Sequence, residues 1–375
     1  MNIQMVDLRT QFEGIKEEVL SGFQSIFESG AFINGPMVKN FCESLSQYLQ
    51  VAHTIPCANG TDALQAALMA LNFSPGDEII TTPFTFIATA EVITLLGLKP
   101  VFVDIEPQTF NIDVRKIETA ITPKTRCIMP VHLYGQCADM ESILAIAEKH
   151  NLYVIEDNAQ SIGATYTFSD GRKQMAGTMG HIGCTSFYPS KNLGAYGDAG
   201  AIFTNDDALA QALHMIVNHG QKEKYTSDVI GINSRLDSFQ AVVLHAKLKK
   251  LPEYITARQA AAAFYDEAFT NIDALKIPFR SENSTHVFHQ YTLITDLNRD
   301  DLRAHLSAHN VPSMVYYPFP LHLNKAFAYL NHKKGDFPVS EHMALQTISL
   351  PMHTELTPEQ LKYISSTIIS YCTKK

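Results

Sequence analysis

One lysine and one aspartate carry most of the chemistry legible in this chain. Lys191 lies in CTSFYPSKNLGAYGDAGAIFTN (184–205), where a strand-like run passes into a glycine-rich turn, and Asp157 ends the upstream strand-like run YVIED. A lysine amine forms a Schiff base with an aldehyde, and a carboxylate keeps a ring nitrogen protonated so that the ring draws electrons from an attached carbanion. The pair fits pyridoxal phosphate. A carboxylate behind a buried strand also needs a partner, and a protonated pyridine nitrogen supplies one. Capping of a following helix would satisfy Asp157 equally well.

Four further segments supply what such a cofactor needs. CANGTDALQAALMAL puts Asn59 and Gly60 in a turn, Thr61 at the start of an apolar-periodic helix and Asp62 beside it. Free amides and the positive dipole end converge there, as a phosphate requires, although an ordinary capped helix reads the same way. Ser186, five positions before Lys191, offers a hydroxyl to the same phosphate and shares a strand face with Tyr188. Gln160 in EDNAQS is placed where it can reach the cofactor, through its ring hydroxyl, from the strand end. Phe86 in TTPFTFIATA is placed to stack on the ring, although core packing is the usual fate of a phenylalanine.

The elements that must hold these residues alternate. From about Thr54 to Asn205, the strand-like runs EIITT, PVFVD, RCIMPVH, YVIED, CTSFY and GAIFT interleave with the helical stretches TDALQAALMAL, ATAEVITLLG and MESILAIAEKH. That rhythm predicts an α/β domain with a mainly parallel sheet flanked by helices, whose ligands collect at the carboxyl ends of the strands. Two amphipathic helical patterns precede it, broken at Asn34, Gly35 and Pro36. Helical stretches follow from DALAQALHMIVN to about Asn271, then a strand-like HVFHQYTLIT, a helix over Asp300–His309, and a strand and turn in PSMVYYPFPLH. The division predicted is a large cofactor-binding α/β domain over 1–250 and a smaller C-terminal α+β domain over 251–375.

Bulk properties exclude several classes. The 375 residues are 46% hydrophobic with a formal charge of −9, which leaves no basic footprint for nucleic acid. No apolar run is long enough to span a membrane, and Asp7 and Arg9 stand where a secretory leader would be apolar, so a cytoplasmic protein is expected. The six cysteines form no CxxC pair and read as buried thiols. The HxxH of His286 and His289 lies in a β-rich stretch that would spread the two rings apart, and no metal site is expected. Gly194, Gly197 and Gly200 have GxxGxxG spacing, which is not the dinucleotide fingerprint.

NGTDAL, PFTFIATAEV, EDNAQSIGA, SFYPSKNLGAYGDAGAI, and NHGQ followed by GINSRLDSFQA occur in that order, and with them the chain resembles the sugar aminotransferases of the DegT/DnrJ/EryC1/StrS family over nearly its full length. The resemblance implies a fold-type-I pyridoxal-phosphate transferase with a seven-stranded-type sheet. It implies Lys191 as the Schiff-base lysine, Asp157 as the pyridinium partner, Gln160 at the ring hydroxyl, Phe86 as the stacking residue, and Gly60, Thr61, Asp62 and Ser186 at the phosphate. It further implies a homodimer in which Asn233 reaches that phosphate from the second subunit. Relatives with histidine at the lysine position act as dehydratases, so Lys191 favours amino transfer.

CANGTDALQ, LYGQCADM, CTSFYPSK and NHGQ extend the likeness to enzymes that aminate C3 of UDP-2-acetamido-2-deoxy-3-oxo-glucuronate, with glutamate as the expected amino donor, for bacterial surface polysaccharides (lipopolysaccharide O-antigen). For the substrate carboxylate the candidate is Arg235, since a guanidinium matches a planar carboxylate with two hydrogen bonds. A surface ion pair fits Arg235 as well. By resemblance to the family's substrate loop, Tyr316, Tyr317 and His322 of VYYPFPLH are candidates for the substrate cleft, which FINGP around Phe32 could also line, with packing as the alternative. Amination at C4 or of a dTDP-linked keto-sugar, and a non-catalytic regulatory protein that merely binds pyridoxal phosphate, are the competing functions.

Overall fold

The computed structural model describes residues 3–373. Its strands are, in chain order, β1 (His53–Cys57), β2 (Glu78–Thr81), β3 (Lys99–Phe102), β4 (Thr125–Ile128), β5 (Tyr153–Asp157), β6 (Thr165–Thr167), β7 (Lys173–Met175), β8 (Ile182–Ser186), β9 (Gly200–Thr204), β10 (Gln221–Glu223), β11 (Thr226–Ser227), β12 (Leu275–Lys276), β13 (Tyr291–Thr295) and β14 (Thr347–Leu350).

Seven of them build the central sheet in the order β1-β9-β8-β5-β4-β2-β3. The pairs from β8 through β3 are parallel, while β9 runs antiparallel to both β8 and β1. All strands except β9 therefore end at one edge of the sheet. There Cys57, Asp157 and Ser186 close their strands and Gly200 opens β9, in register with Cys57 and Ser186.

Burial on both faces explains the near-continuous apolar runs. Ile79, Cys127 and Ile155 point to one layer, with the helices Gly60–Ala70, Ala88–Leu95 and Asp207–Ile216. Their neighbours Ile80, Ile128 and Val154 point to the other, with the helix Met140–His150. The antiparallel sheet β12-β13-β14 and the helices Leu251–Phe269, Arg299–Ala308 and Pro358–Cys372 share a separate core that includes Tyr265, Leu293, Leu302, Ile348 and Ile364. Ile3, near the N-terminus, packs into that C-terminal core. Among the described residues no helix is long and apolar enough to cross a membrane.

Several local expectations change. β1 went unread because Pro56 interrupts it; the strand lies at the sheet edge, where a missing N–H is tolerated. In HVFHQYTLIT only Tyr291–Thr295 is a strand. Phe288 has φ 48°, which breaks extended pairing, and His286 makes only an isolated bridge to Gln136. PSMVYYPFPLH contains no strand beyond a bridge between Met314 and Ser349, since Pro312, Pro318 and Pro320 remove backbone donors. The helix after β1 starts at Gly60 rather than Thr61. Asn59 is its N-cap, accepting the Asp62 N–H at 2.8 Å.

Candidate active site

The strand ends open onto a cavity of about 870 Å³ lined by Lys191, Asp157, Gln160, Ser186 and the first turn of the Gly60–Ala70 helix. The helix start and β8 fit tightly. A Cβ added at Gly60 would lie 2.6 Å from that of Ser186, and one at Gly200 would lie 2.5 Å from the Asn59 carbonyl, so both positions require glycine. Asn59 occupies the Asp62 amide, while the amides of Gly60 and Thr61 have no intrahelical carbonyl and stand at the positive end of the helix dipole. Ser186 Oγ, which accepts the Tyr188 N–H at 3.2 Å, lies beside them. Unpaired amides at a helix start beside a hydroxyl are groups able to accept an anion.

Lys191 follows β8 in a bend closed by its own N–H donating to the Tyr188 carbonyl at 2.8 Å. Burial lowers its amine to about 8, against the opposing charge of Asp157. The free amine, the nucleophilic form, is thereby accessible near neutral pH. Asp157 is 5% exposed. Oδ2 accepts the Thr89 hydroxyl at 2.8 Å and Oδ1 the Ala159 N–H at 3.2 Å. Burial raises its carboxyl, opposed first by the Thr89 bond, then by the Ala159 amide and the charge of Lys191. No helix follows Asp157, so capping does not explain it.

Gln160 is held at both ends of its amide. Its oxygen accepts the Tyr134 N–H at 2.8 Å and its nitrogen donates to the Tyr317 hydroxyl at 3.0 Å. Phe86, 55% exposed, presents its ring at the cavity, 6.4 Å from that of Tyr317. Tyr316 lines the same space.

Four candidates lie elsewhere within the chain. Asn233 is exposed and pairs with Asn218 in an isolated bridge. Arg235 donates to Asn218 Oδ1 at 3.3 Å and borders a different cavity, of about 430 Å³, with Asn34, Lys39 and Cys42. Phe32 stacks on Phe239. His322 is buried and pairs with Glu341 at 3.0 Å, outside the Lys191 cavity.

Residues that line the cavity and escaped the sequence reading include Thr85, Thr89, Asp198 and His289. The threonines sit in PFTFIATA, where their i, i+4 spacing was the available signal. His289 was weighed only as a metal ligand. Burial together with the charges of Lys191 and Arg258 holds its imidazole well below its usual range.

A helix-end cradle, an amine and a buried carboxylate on one cavity of a mainly parallel sheet define a fold-type-I pyridoxal-phosphate transferase. The chain belongs to the DegT/DnrJ/EryC1/StrS aminotransferase family, whose model matches residues 13–369. It is 46% identical over 99% of its length to the "Pleiotropic regulatory protein" of Geobacillus stearothermophilus, also covered to 99%. It is 45% identical to the UDP-2-acetamido-2-deoxy-3-oxo-D-glucuronate aminotransferase of Pseudomonas aeruginosa, over 98% of this chain and 99% of that one. It is also 45% identical to the UDP-N-acetyl-3-dehydro-alpha-D-glucosamine 3-aminotransferase of Acidithiobacillus ferrooxidans, over 98% and 97%. Among solved structures, Streptomyces venezuelae DesV in complex with a ketimine intermediate superposes with a TM-score of 0.95 at 35% identity, covering 99% of this chain and 98% of that one.

Proposed function

We propose that this protein transfers an amino group from glutamate to C3 of a UDP-linked 3-oxo sugar, UDP-2-acetamido-2-deoxy-3-oxo-glucuronate, in the cytoplasm, for bacterial surface polysaccharide synthesis. The observation that carries the proposal is the joint lining of one cavity by the Lys191 amine, the Asp157 carboxylate and a helix-end phosphate cradle, in a chain 45% identical to a protein named for that reaction. Pyridoxal phosphate, held at the cradle, Asp157 and Lys191, supplies an aldehyde and an electron-accepting ring.

The residues divide the remaining work. Lys191 Nζ, lowered to about 8 and so free in part near neutral pH, would hold the cofactor aldehyde and, when free, would carry the proton of the donor's α-carbon. Asp157 keeps a negative charge at the far end of the site, where positive charge must persist. Gln160, fixed at both amide ends, orients polar contacts at the cavity wall. The oxo-sugar reverses the sequence, which gives ping-pong kinetics.

The charged side chains lining the cavity include Asp62, Asp157 and Asp198, with Lys191 as the lysine. A diphosphate and a uronate therefore need cations from beyond it. We assign the cation to a second copy of the chain, whose Arg235 would meet the substrate carboxylate while its Asn233, a neutral amide, would donate to the cofactor phosphate.

Absorption spectroscopy tests the proposal. Glutamate should convert the band of the loaded protein, and the UDP-3-oxo sugar should restore it, with NMR placing the new nitrogen on C3. Nitrogen on C4, or a preference for a dTDP-linked keto-sugar, would redirect the substrate assignment. The name of the Geobacillus relative keeps the regulatory reading in play; a spectrum indifferent to glutamate would favour it.

A further inference from the structure

We infer that the buried hydroxyl pair Thr85–Thr89 is a positioning relay that keeps the Asp157 carboxylate ionised. This rests on the reading that Asp157 faces the cofactor's ring nitrogen. Thr89 is 1% exposed and Thr85 2%, yet both border the cavity. Thr89 Oγ1 lies 2.8 Å from Asp157 Oδ2 and 3.1 Å from Thr85 Oγ1. A hydroxyl has one proton. Since Thr89 spends its proton on the carboxylate, Thr85 must donate to Thr89, and the two dipoles align toward the negative charge.

Little else in the surroundings supplies a donor to Oδ2. Among the described residues, the titratable groups whose charge acts on Asp157 include Lys191, His132, the Cys184 thiol and the Tyr317 phenol. His132 accepts the Ala138 N–H on Nδ1 at 3.1 Å and bonds Glu156 through Nε2 at 2.8 Å, so its proton is engaged away from Asp157. Oδ1 is served by the Ala159 amide. The Lys191 charge opposes protonation of Asp157 only while the amine is protonated, which its lowering to about 8 limits, whereas the threonine hydroxyls are fixed donors. Burial favours the protonated carboxyl, so loss of the relay should raise the pH at which Asp157 gains its proton.

The test uses the cofactor-free full-length protein. An infrared pH titration follows the carbonyl stretch of the protonated carboxyl, assigned by its absence in Asp157→Asn. Thr89→Val, isosteric but without a hydroxyl, should move the midpoint up by roughly one to two pH units, the size of one lost charge-assisted hydrogen bond. Thr89→Ser should titrate like the wild type, and Thr85→Val should shift in the same direction by less. In the loaded enzyme, the acid limb of the glutamate half-reaction should move with the infrared midpoint. A wild-type midpoint in either valine variant, or a serine variant that behaves like valine, would overturn the relay. Should Thr89→Val not fold, Thr85→Val decides alone. Failure of wild-type protein to take up pyridoxal phosphate would defeat the cofactor reading instead, and the carboxyl titration would still stand.

Discussion

The cofactor end of the cavity and the segment carrying Asn233 and Arg235 are built in opposite ways. At the first, strand ends and a helix start converge within one chain, glycines allow backbones to touch, and burial pushes the lysine amine down and the aspartate carboxyl up. At the second, Asn233 is exposed, Arg235 borders another cavity, and neither approaches Lys191 within the chain. In the proposed reaction the first region carries the bond chemistry. The second acquires a role only if another copy is present, which makes it the part of the site most open to refutation.

The largest effect should come from Lys191→Ala, which removes both covalent capture and the proton carrier. Turnover should fall by about a thousandfold or more, and pyridoxal phosphate should elute on denaturation without reduction to the protein. Asp157→Asn should slow the glutamate half-reaction on the order of a hundredfold while the cofactor still binds, as read in single turnovers.

Next comes the contrast between regions. Subunits carrying Lys191→Ala and subunits carrying Asn233→Ala, each impaired, should recover activity on coexpression, because one site of the mixed dimer is then intact. Absence of recovery would confine Asn233 to its own chain. A pH effect separates the regions more finely. Cofactor uptake by the cofactor-free protein should accelerate as pH rises through about 8, since Lys191 is the unreactive ammonium below that point and the free amine above it. Stopped-flow absorbance across that range checks it. The smallest effect is expected at His322. His322→Asn should lower Tm through loss of its buried bond to Glu341, worth roughly 1 kcal/mol, without changing KM for the sugar.

How far the sequence could be read depended on the span of the interaction. Lys191 and Asp157 stood out as candidates because Asp157 closes a strand-like run and Lys191 follows one by five residues, before a glycine-rich turn. The helix start was misplaced by one position, since Asn59 and Thr61 are both acceptable caps. β1 was hidden by Pro56, whose tolerance depends on an edge position that local pattern does not reveal. His322 was grouped with Tyr316 and Tyr317 by the family resemblance of VYYPFPLH, but after the intervening prolines it pairs with Glu341 outside the cavity. Thr89 looked like an ordinary helical residue because its partner, Asp157, is 68 positions away.

From the order of residues alone came the alternation of strands and helices, the mainly parallel sheet and the candidate amine and carboxylate, because periodicity and turn chemistry are properties of near neighbours. Tertiary structure decided which hydroxyl meets Asp157, how far burial lowers the Lys191 amine, and that Asn233 and Arg235 stand outside the cavity of their own chain. Those are matters of distance and solvent exposure between segments far apart in sequence, and only packing sets them.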